Sequence, residues 1–303
     1  MPSSRHGRVT LSLPVIVMAL AATGVGCGSK SEDEASGPAA PVIPPTCNGH
    51  VELCDRRLDQ VVFPSAHNAM SNADDGWVVP NQNHGMKRQL EDGVRGFLID
   101  THTYEDEAYL CHSICKFGSI KLVDALTIHR EFLDAHRGEV LAFIIEDGIS
   151  AEDTDKAFRD SGLVKYVYTH APGTPWPTLR EMIAKDTRLL VTAENGRPPP
   201  AWYQHVWDLA WDTPYTYDSK EQIAKTGCDV NRGDAKNDLF LINHWIGTPI
   251  SLPENAMVAN TYEVLSAHVS ACKQKHGRLP TFVAVDFYDI GALFRVVDEA
   301  NGL

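Results

Sequence analysis

The feature that most constrains this chain is a series of short apolar runs, each of which ends in polar side chains. The runs are VVFPSA (61–66), GFLID (96–100), AYLCH (108–112), VLAFIIED (140–147), RLLVTA (188–193), DLFLINHW (238–245) and TFVAVDFY (281–288). Most are β-branched or wholly apolar, the composition of strands buried on both faces. Between them lie segments with apolar residues at helical spacing. In SIKLVDALTIHREFLDAHRG (119–138) these are Leu122, Leu126, Phe132 and Leu133, with Gly138 as the expected C-cap. TLREMIAKD (178–186) and TYEVLSAHVSACKQKHG (261–277) repeat the pattern. Strands alternating with helices over about 240 residues predict an α/β fold, a (β/α)8 barrel with room for incomplete closure.

The polar endings sharpen that expectation. His67 and Asn68, Asp100 and His102, His112, Glu146 and Asp147, Glu194 and Asn195, Asn243 and His244, and Asp286 all sit at or just past run ends. In a parallel barrel such ends converge on one face, where active sites are built. A single strand-end histidine is more often a satisfied structural group, but so many polar endings predict a functional mouth.

The first 27 residues are set apart from this pattern. Arg5 and Arg8, the apolar core VTLSLPVIVMALAA and the ending TGVGC read as a bacterial export signal, too short for a spanning helix. The ending resembles a lipoprotein signal, in which Cys27 becomes the lipidated first residue, with Gly24 where a leucine is usual. Simple secretion is the alternative. Residues 28–46, rich in Ser, Glu, Pro and Ala, read as a disordered tether, and 47–303 as a single catalytic domain. Without Arg5 and Arg8 the chain keeps 40 acidic against 25 basic residues, a formal charge of −15. That balance argues against a nucleic-acid partner and against electrostatic capture by anionic lipid.

Six cysteines remain, an even number suited to disulfides in an exported protein. Proximity favours Cys47–Cys54 and Cys111–Cys115, which leaves Cys228–Cys272. Their irregular spacing lacks the paired pattern of a zinc site.

With SAHNAM, GVRGFLIDTH, LCHSICKFG, VLAFIIED and TFVAVDFY in this order, residues 58–303 resemble the catalytic X-domain of the phosphatidylinositol-specific phospholipase C (PI-PLC) superfamily. CDVNRG (228–233) and LFLINHW are similar to its secreted bacterial and fungal branch. The resemblance implies that His67 is a general base and His112 a general acid, with Asp286 as the carboxylate paired to the base. It implies an inositol phospholipid as substrate, met at a membrane surface, and a cyclic inositol phosphate and diacylglycerol as products. Imidazole suits both proton transfers because its pKa lies near working pH.

The resemblance also implies a divalent cation, calcium with magnesium as the alternative, on Asn68, Asp100 and Glu146, since hard oxygen donors suit such ions. A fourth ligand position holds Leu98, for which Asp147 or His102 could compensate. Glu194, Arg232, Asn243 and His244 are candidates for the headgroup pocket. Arg95 is expected in a structural ion pair, and Lys87 and Lys121 on solvated faces. Trp202 and Tyr203 are expected under a loop. Two other functions fit the residues: a phosphodiesterase for a glycerophosphodiester or sphingolipid, and a barrel that binds a headgroup without turnover.

Overall fold

The computed structural model describes residues 44–303. The export segment 1–27, with Cys27, and all but the last three residues of the tether 28–46 lie outside the described residues. Eleven strands form one sheet: β1 (Phe63–Ala66), β2 (Gly96–Tyr104), β3 (Glu107–Leu110), β4 (Ile120–Lys121), β5 (Leu141–Asp147), β6 (Val167–Tyr168), β7 (Leu189–Ala193), β8 (Gln204–His205), β9 (Ala210–Asp212), β10 (Leu239–His244) and β11 (Phe282–Val285). The main path runs β6-β7-β5-β2-β1-β11-β10-β9, and every pairing along it is parallel. Among the described residues β6 and β9 do not pair with each other, so the sheet is a curled barrel with an open seam.

The alternation of side chains divides the hydrophobic interior into two layers. Phe63, Ala142, Ile144, Leu190, Leu239, Leu241, Phe282 and Ala284 pack together inside the curl. Their neighbours Val62, Phe97, Phe143, Ile145, Val191, Phe240, Ile242, Val283 and Val285 face outward into a second layer. There they meet Leu126 and Leu133 of helix Leu122–Ala135, Phe158 of Ala151–Asp160, Leu265 of Tyr262–His276 and Val296 of Leu293–Asn301. Local signals start the helices. Ser150 Oγ accepts from Asp153 N, and Thr178 and Glu181 form a reciprocal capping box.

Two expectations need correction, and one strand is added. Residues 108–112 are not a barrel strand: β3 pairs antiparallel with β2 and carries an excursion above the mouth. The strand β9 was not anticipated, because three residues are too short for a periodic signal. The helix expected to end at Gly138 is capped at His136, and Gly138 instead passes close to Thr46 O, where a Cβ would come within 2.6 Å. All three expected disulfides are present, Cys47–Cys54, Cys111–Cys115 and Cys228–Cys272. Arg95 pairs with Glu139 at 2.6 Å, and Lys121 with Glu107. Lys87 is exposed, and Trp202 and Tyr203 are buried in the outer layer.

Ser65 has a packing role that fixes how β1 meets β2. It is fully buried, stands in register with Gly96 and donates to Phe63 O at 3.0 Å. A Cβ at position 96 would lie 2.1 Å from Ser65 Oγ and 2.9 Å from Ser65 Cβ. Gly96→Ala is therefore expected to destabilise by about 1–3 kcal/mol through overpacking. Adding Ser65→Ala removes only the nearer clash and should recover part of the loss. Denaturant midpoints at constant slope measure both; an unshifted midpoint in Gly96→Ala would refute this close contact.

Candidate active site

The inward-facing parity of each strand extends past the last apolar layer into a ring of polar side chains. His67 follows β1, Asp100 lies on β2 and Glu146 on β5, and Glu194 follows β7. Asp212 ends β9, Asn243 lies on β10 and Asp286 follows β11. Asp100 stands in register with Glu146. After β1 the chain turns through Asn68, which holds φ 45°, a left-handed conformation that asparagine tolerates better than most residues. Ala69 N then donates to Leu98 O at 2.9 Å, so the turn is pinned to the neighbouring strand.

Asp286 is nearly fully buried and receives three hydrogen bonds. His67 Nδ1 donates to Oδ1 at 2.7 Å, Asn81 Nδ2 donates to the same oxygen at 3.2 Å, and Ser251 Oγ donates to Oδ2. A carboxylate on Nδ1 selects the tautomer whose Nε2 carries a free lone pair. The indole of Trp245 covers one face of His67, with ring centres 3.7 Å apart and planes within 5° of parallel.

His112 lies in the excursion after β3. Cys111–Cys115 brackets it, and Val78 N donates to Phe117 O at 2.7 Å, which ties this loop to the one after β1. His67, His112 and Asp286 line one cleft of about 260 Å³, together with Asn81, Trp245 and Ser251. His67 is close enough to influence His112. Desolvation by the cleft walls, and then the neighbouring His67, hold the His112 pKa below the usual histidine value, against the opposing pull of Asp286 and Glu146.

The other side of the mouth is acidic. Asp100 is buried, and its pKa is raised well above the carboxylate range, first by burial and then by Glu146 and Glu194. Burial lifts Glu194 to about 7 although Arg232 pulls it down, and Glu146 and Asp212 push it further up. Arg232 Nη1 donates to Glu194 at 2.7 Å, while its Nε and Nη2 donate to Asp212 at 3.0 and 2.7 Å. Its guanidinium also lies over Trp207 and Tyr215, 4.3 and 4.7 Å from the ring centres. Asn243 Nδ2 donates to Asp212 at 3.1 Å.

Asn68 connects the two sides. With its amide nitrogen toward Asp100 it donates to both carboxylate oxygens at 3.2 and 3.1 Å, and its oxygen lies 3.3 Å from His67 Nε2. With the amide reversed, two oxygens face each other, which only a proton or a cation between them makes favourable. Among the described residues, a trio whose ligand atoms all lie within 4.8 Å of one another is found at Cys228, His268 and Cys272, and the two cysteines are already joined as a disulfide.

His244 is the one expected pocket residue that the structure puts elsewhere. It is fully buried and faces the helices, with Nε2 2.8 Å from Ala259 O and Nδ1 2.7 Å from His268 Nδ1. It is adjacent to the inward-facing Asn243 and therefore points the opposite way. Asp147 likewise turns from the mouth to accept from Asn195 N at 2.8 Å. The sequence reading missed Asp212, Trp245, Ser251 and Asn81. Only Asp212 carried the same signal as the others, an apolar run ending in an acid, in LAWD.

Fold and site together define a parallel α/β barrel whose C-terminal face holds a histidine–carboxylate pair, a second histidine and an acidic cluster. The chain belongs to the PI-PLC X family, which it matches over residues 53–301. It is similar to two Arthroderma benhamiae proteins. One, named PI-PLC X domain-containing protein 1, is 29% identical over 285 residues, spanning 85% of this chain and 90% of the relative. The other, an uncharacterized secreted protein, is 26% identical over 309 residues, spanning 91% of this chain and 68% of the relative. Among solved structures the phosphatidylinositol-specific phospholipase C from Listeria monocytogenes shares the fold, with a TM-score of 0.55 at 17% identity over 82% of this chain and 95% of that one.

The acidic cluster makes stability depend on pH. The Glu194 pKa of about 7 lies above the ordinary 4.5, so between these values the folded protein holds a proton that the unfolded chain releases. Stability should therefore fall as pH rises from about 4.5 to 7. In chelator the Glu194 share is on the order of 2 kcal/mol, and Glu194→Gln should flatten the slope, leaving the part due to Asp100. Unfolding free energies at pH 5 and pH 8 test this; equal slopes in wild type and Glu194→Gln would refute it.

Proposed function

We propose that this protein is a phosphodiesterase of PI-PLC type that cleaves phosphatidylinositol or a related inositol phospholipid. The observation that carries this reading is one cleft lined by His67, with Asp286 on its Nδ1, and by His112. His67 Nε2 takes the proton of the inositol 2-hydroxyl, whose oxygen attacks the adjacent phosphorus. His112, protonated, gives its proton to the departing diacylglycerol oxygen. One P–O bond forms and one breaks, leaving a cyclic inositol phosphate. The lowered pKa of His112 makes its protonated form a stronger acid toward that leaving group.

A divalent cation belongs to the same proposal. The donors around Asp100 are oxygens, and Arg232, beside this cluster, is already paired with Glu194 and Asp212. Carboxylates left to themselves would repel a phosphodiester. Asn68, Asp100 and Glu146 would hold calcium or magnesium, with the Asn68 oxygen turned toward Asp100. Bound there, the ion would neutralise phosphate charge. In the same orientation the Asn68 amide nitrogen turns to His67 Nε2, a contact suited to an unprotonated base.

A membrane-embedded substrate fits the rim. Val79, Tyr215 and Ile250 line the cleft and are exposed, and Val78, Ile114, Phe117 and Leu252 are exposed on the same loops. Apolar loops around a cleft suit contact with lipid, and the acidic balance of the chain favours apolar over electrostatic attachment. The secreted relative and the export-like first 27 residues support action outside the cell, with lipid anchoring through Cys27 as the further proposal. A headgroup-binding barrel without turnover is the second reading. Leu98, packed against the apolar interior where the resemblance calls for a carboxylate, is its support.

Phosphorus NMR of products from phosphatidylinositol distinguishes these readings. The expected outcome is a cyclic ester formed with calcium and lost in chelator. His67→Ala and His112→Ala should each lose at least about a thousandfold in kcat while keeping wild-type unfolding midpoints. Turnover near wild type in either variant would refute the mechanism, and headgroup binding without product would favour the second reading. Because His112 must be protonated while His67 is not, kcat/KM should rise and then fall with pH, with an alkaline limb as the pair loses its remaining proton. A rate that stays level from about pH 6 to pH 10 would exclude a protonated His112 as the acid.

A further inference from the structure

We propose that Trp245 and Ser251, both on the loop between β10 and helix Pro253–Ala259, are positioning residues that hold the His67–Asp286 pair in its working geometry. The inference rests on the reading of His67 as a base, and it concerns what orients that base.

A single hydrogen bond from Nδ1 to a carboxylate leaves the imidazole free to swing about the bond. Swinging would sweep Nε2 away from the cleft. The Trp245 indole removes that freedom because it lies flat on the ring, 3.7 Å between centres and 5° between planes. It also shields that face of the imidazole from water. Ser251 acts on the other partner. Its hydroxyl donates to Asp286 Oδ2, which leaves Oδ1 for His67 and Asn81. Thus one loop grips both members of the pair, one by its face and the other by its far oxygen.

The loop is built to keep that grip. Asn255 Nδ2 donates to Ile246 O at 2.9 Å and to Ile250 O at 3.1 Å, drawing the two ends together. Gly247 N donates to Tyr217 O at 3.1 Å. At the strand end, the buried His244 lies 2.8 Å from Ala259 O, tying β10 to the end of the helix that closes the loop. Trp245 itself is almost buried, so its own position is set by the interior it packs against. His244 thereby frames the element that positions the base, although it lies outside the mouth.

The test compares Trp245→Leu, Trp245→Phe and Ser251→Ala in the full chain. Misplacing a catalytic group by a fraction of an ångström to an ångström is worth up to about a hundredfold. Trp245→Leu should therefore lower kcat on phosphatidylinositol about 10- to 100-fold with KM nearly unchanged, and Trp245→Phe, which keeps an aromatic face, should restore most of it. Ser251→Ala should lower kcat with KM unchanged as well. A second readout needs no turnover. In proton NMR, the His67 ring signals, assigned with His67→Gln, should be shifted upfield by the indole and return to ordinary positions in Trp245→Leu. Unchanged kcat in Trp245→Leu, or loss in KM alone, would overturn the proposal. So would His67 signals without an upfield shift in the wild-type protein. If the wild-type protein hydrolyses no phosphoinositide, the reading of function fails while the NMR arm still decides whether this loop holds the ring.

Discussion

A parallel strand gives the interior of a barrel every second side chain and gives its helices the rest, and the whole site depends on that alternation. On β2, Leu98 and Asp100 share the inward face while Phe97 and Ile99 pack against helices. On β10 the same rule brings Asn243 to Asp212 and sends the adjacent His244 to His268. Because strands β1, β2, β5, β10 and β11 run parallel, their inward residues all rise to one mouth, with a stagger: Asp100 stands opposite Glu146, while Ser65 and Asn243 stand opposite Ala284. The last inward position on each strand is then one place in a ring. Apolar residues below that ring hold the barrel together, and polar residues in it meet across the mouth.

This explains what was legible in the sequence. The apolar runs reported the buried strands, and the acids and histidines at their ends reported the ring. What the runs could not report was direction. VLAFIIED and LFLINHW each carry adjacent polar candidates, Glu146 with Asp147 and Asn243 with His244, and only the pairing register says which of two neighbours faces in. His244 was misread for that reason. AYLCH was misread for another: β3 has strand composition but pairs antiparallel at the rim, so its sequence looks like a barrel strand while its partner is the far end of β2. Asp212 was missed because β9 is three residues long. Trp245, Ser251 and Asn81 act through contacts that span long stretches of chain, and nothing in their local sequence marks them.

The electrostatics of the mouth follow from which groups share it. Asp100, Glu146, Glu194 and Asp212 interact closely enough that the burial of Asp100 and Glu194 is reinforced by like charge. Buried carboxylates in such company either keep protons, take a cation or find an arginine. Two of these solutions are represented here in part. Burial and like charge raise the pKa values of Asp100 and Glu194, and Asp212 and Glu194 share Arg232. Leu98 lowers the number of charges that must be compensated, and so it is consistent with a weaker cation site as well as with none.

Arg232 also bears on the open seam. The sheet is continuous from β7 through β5, β2, β1, β11 and β10 to β9, but β7 and β9 are not neighbours in it. Among the described residues, then, no direct strand pairing joins Glu194, just after β7, to Asp212, at the end of β9. Arg232 spans that gap with one nitrogen on Glu194 and two on Asp212. Trp207 and Tyr215 hold its guanidinium by their faces, so the bridge is short and stiff. A planar, five-donor cation suits this position better than lysine, whose single ammonium would have to choose between the two carboxylates or sit between them without fixing an angle. Where the ladder ends, an ion pair continues the wall of the barrel.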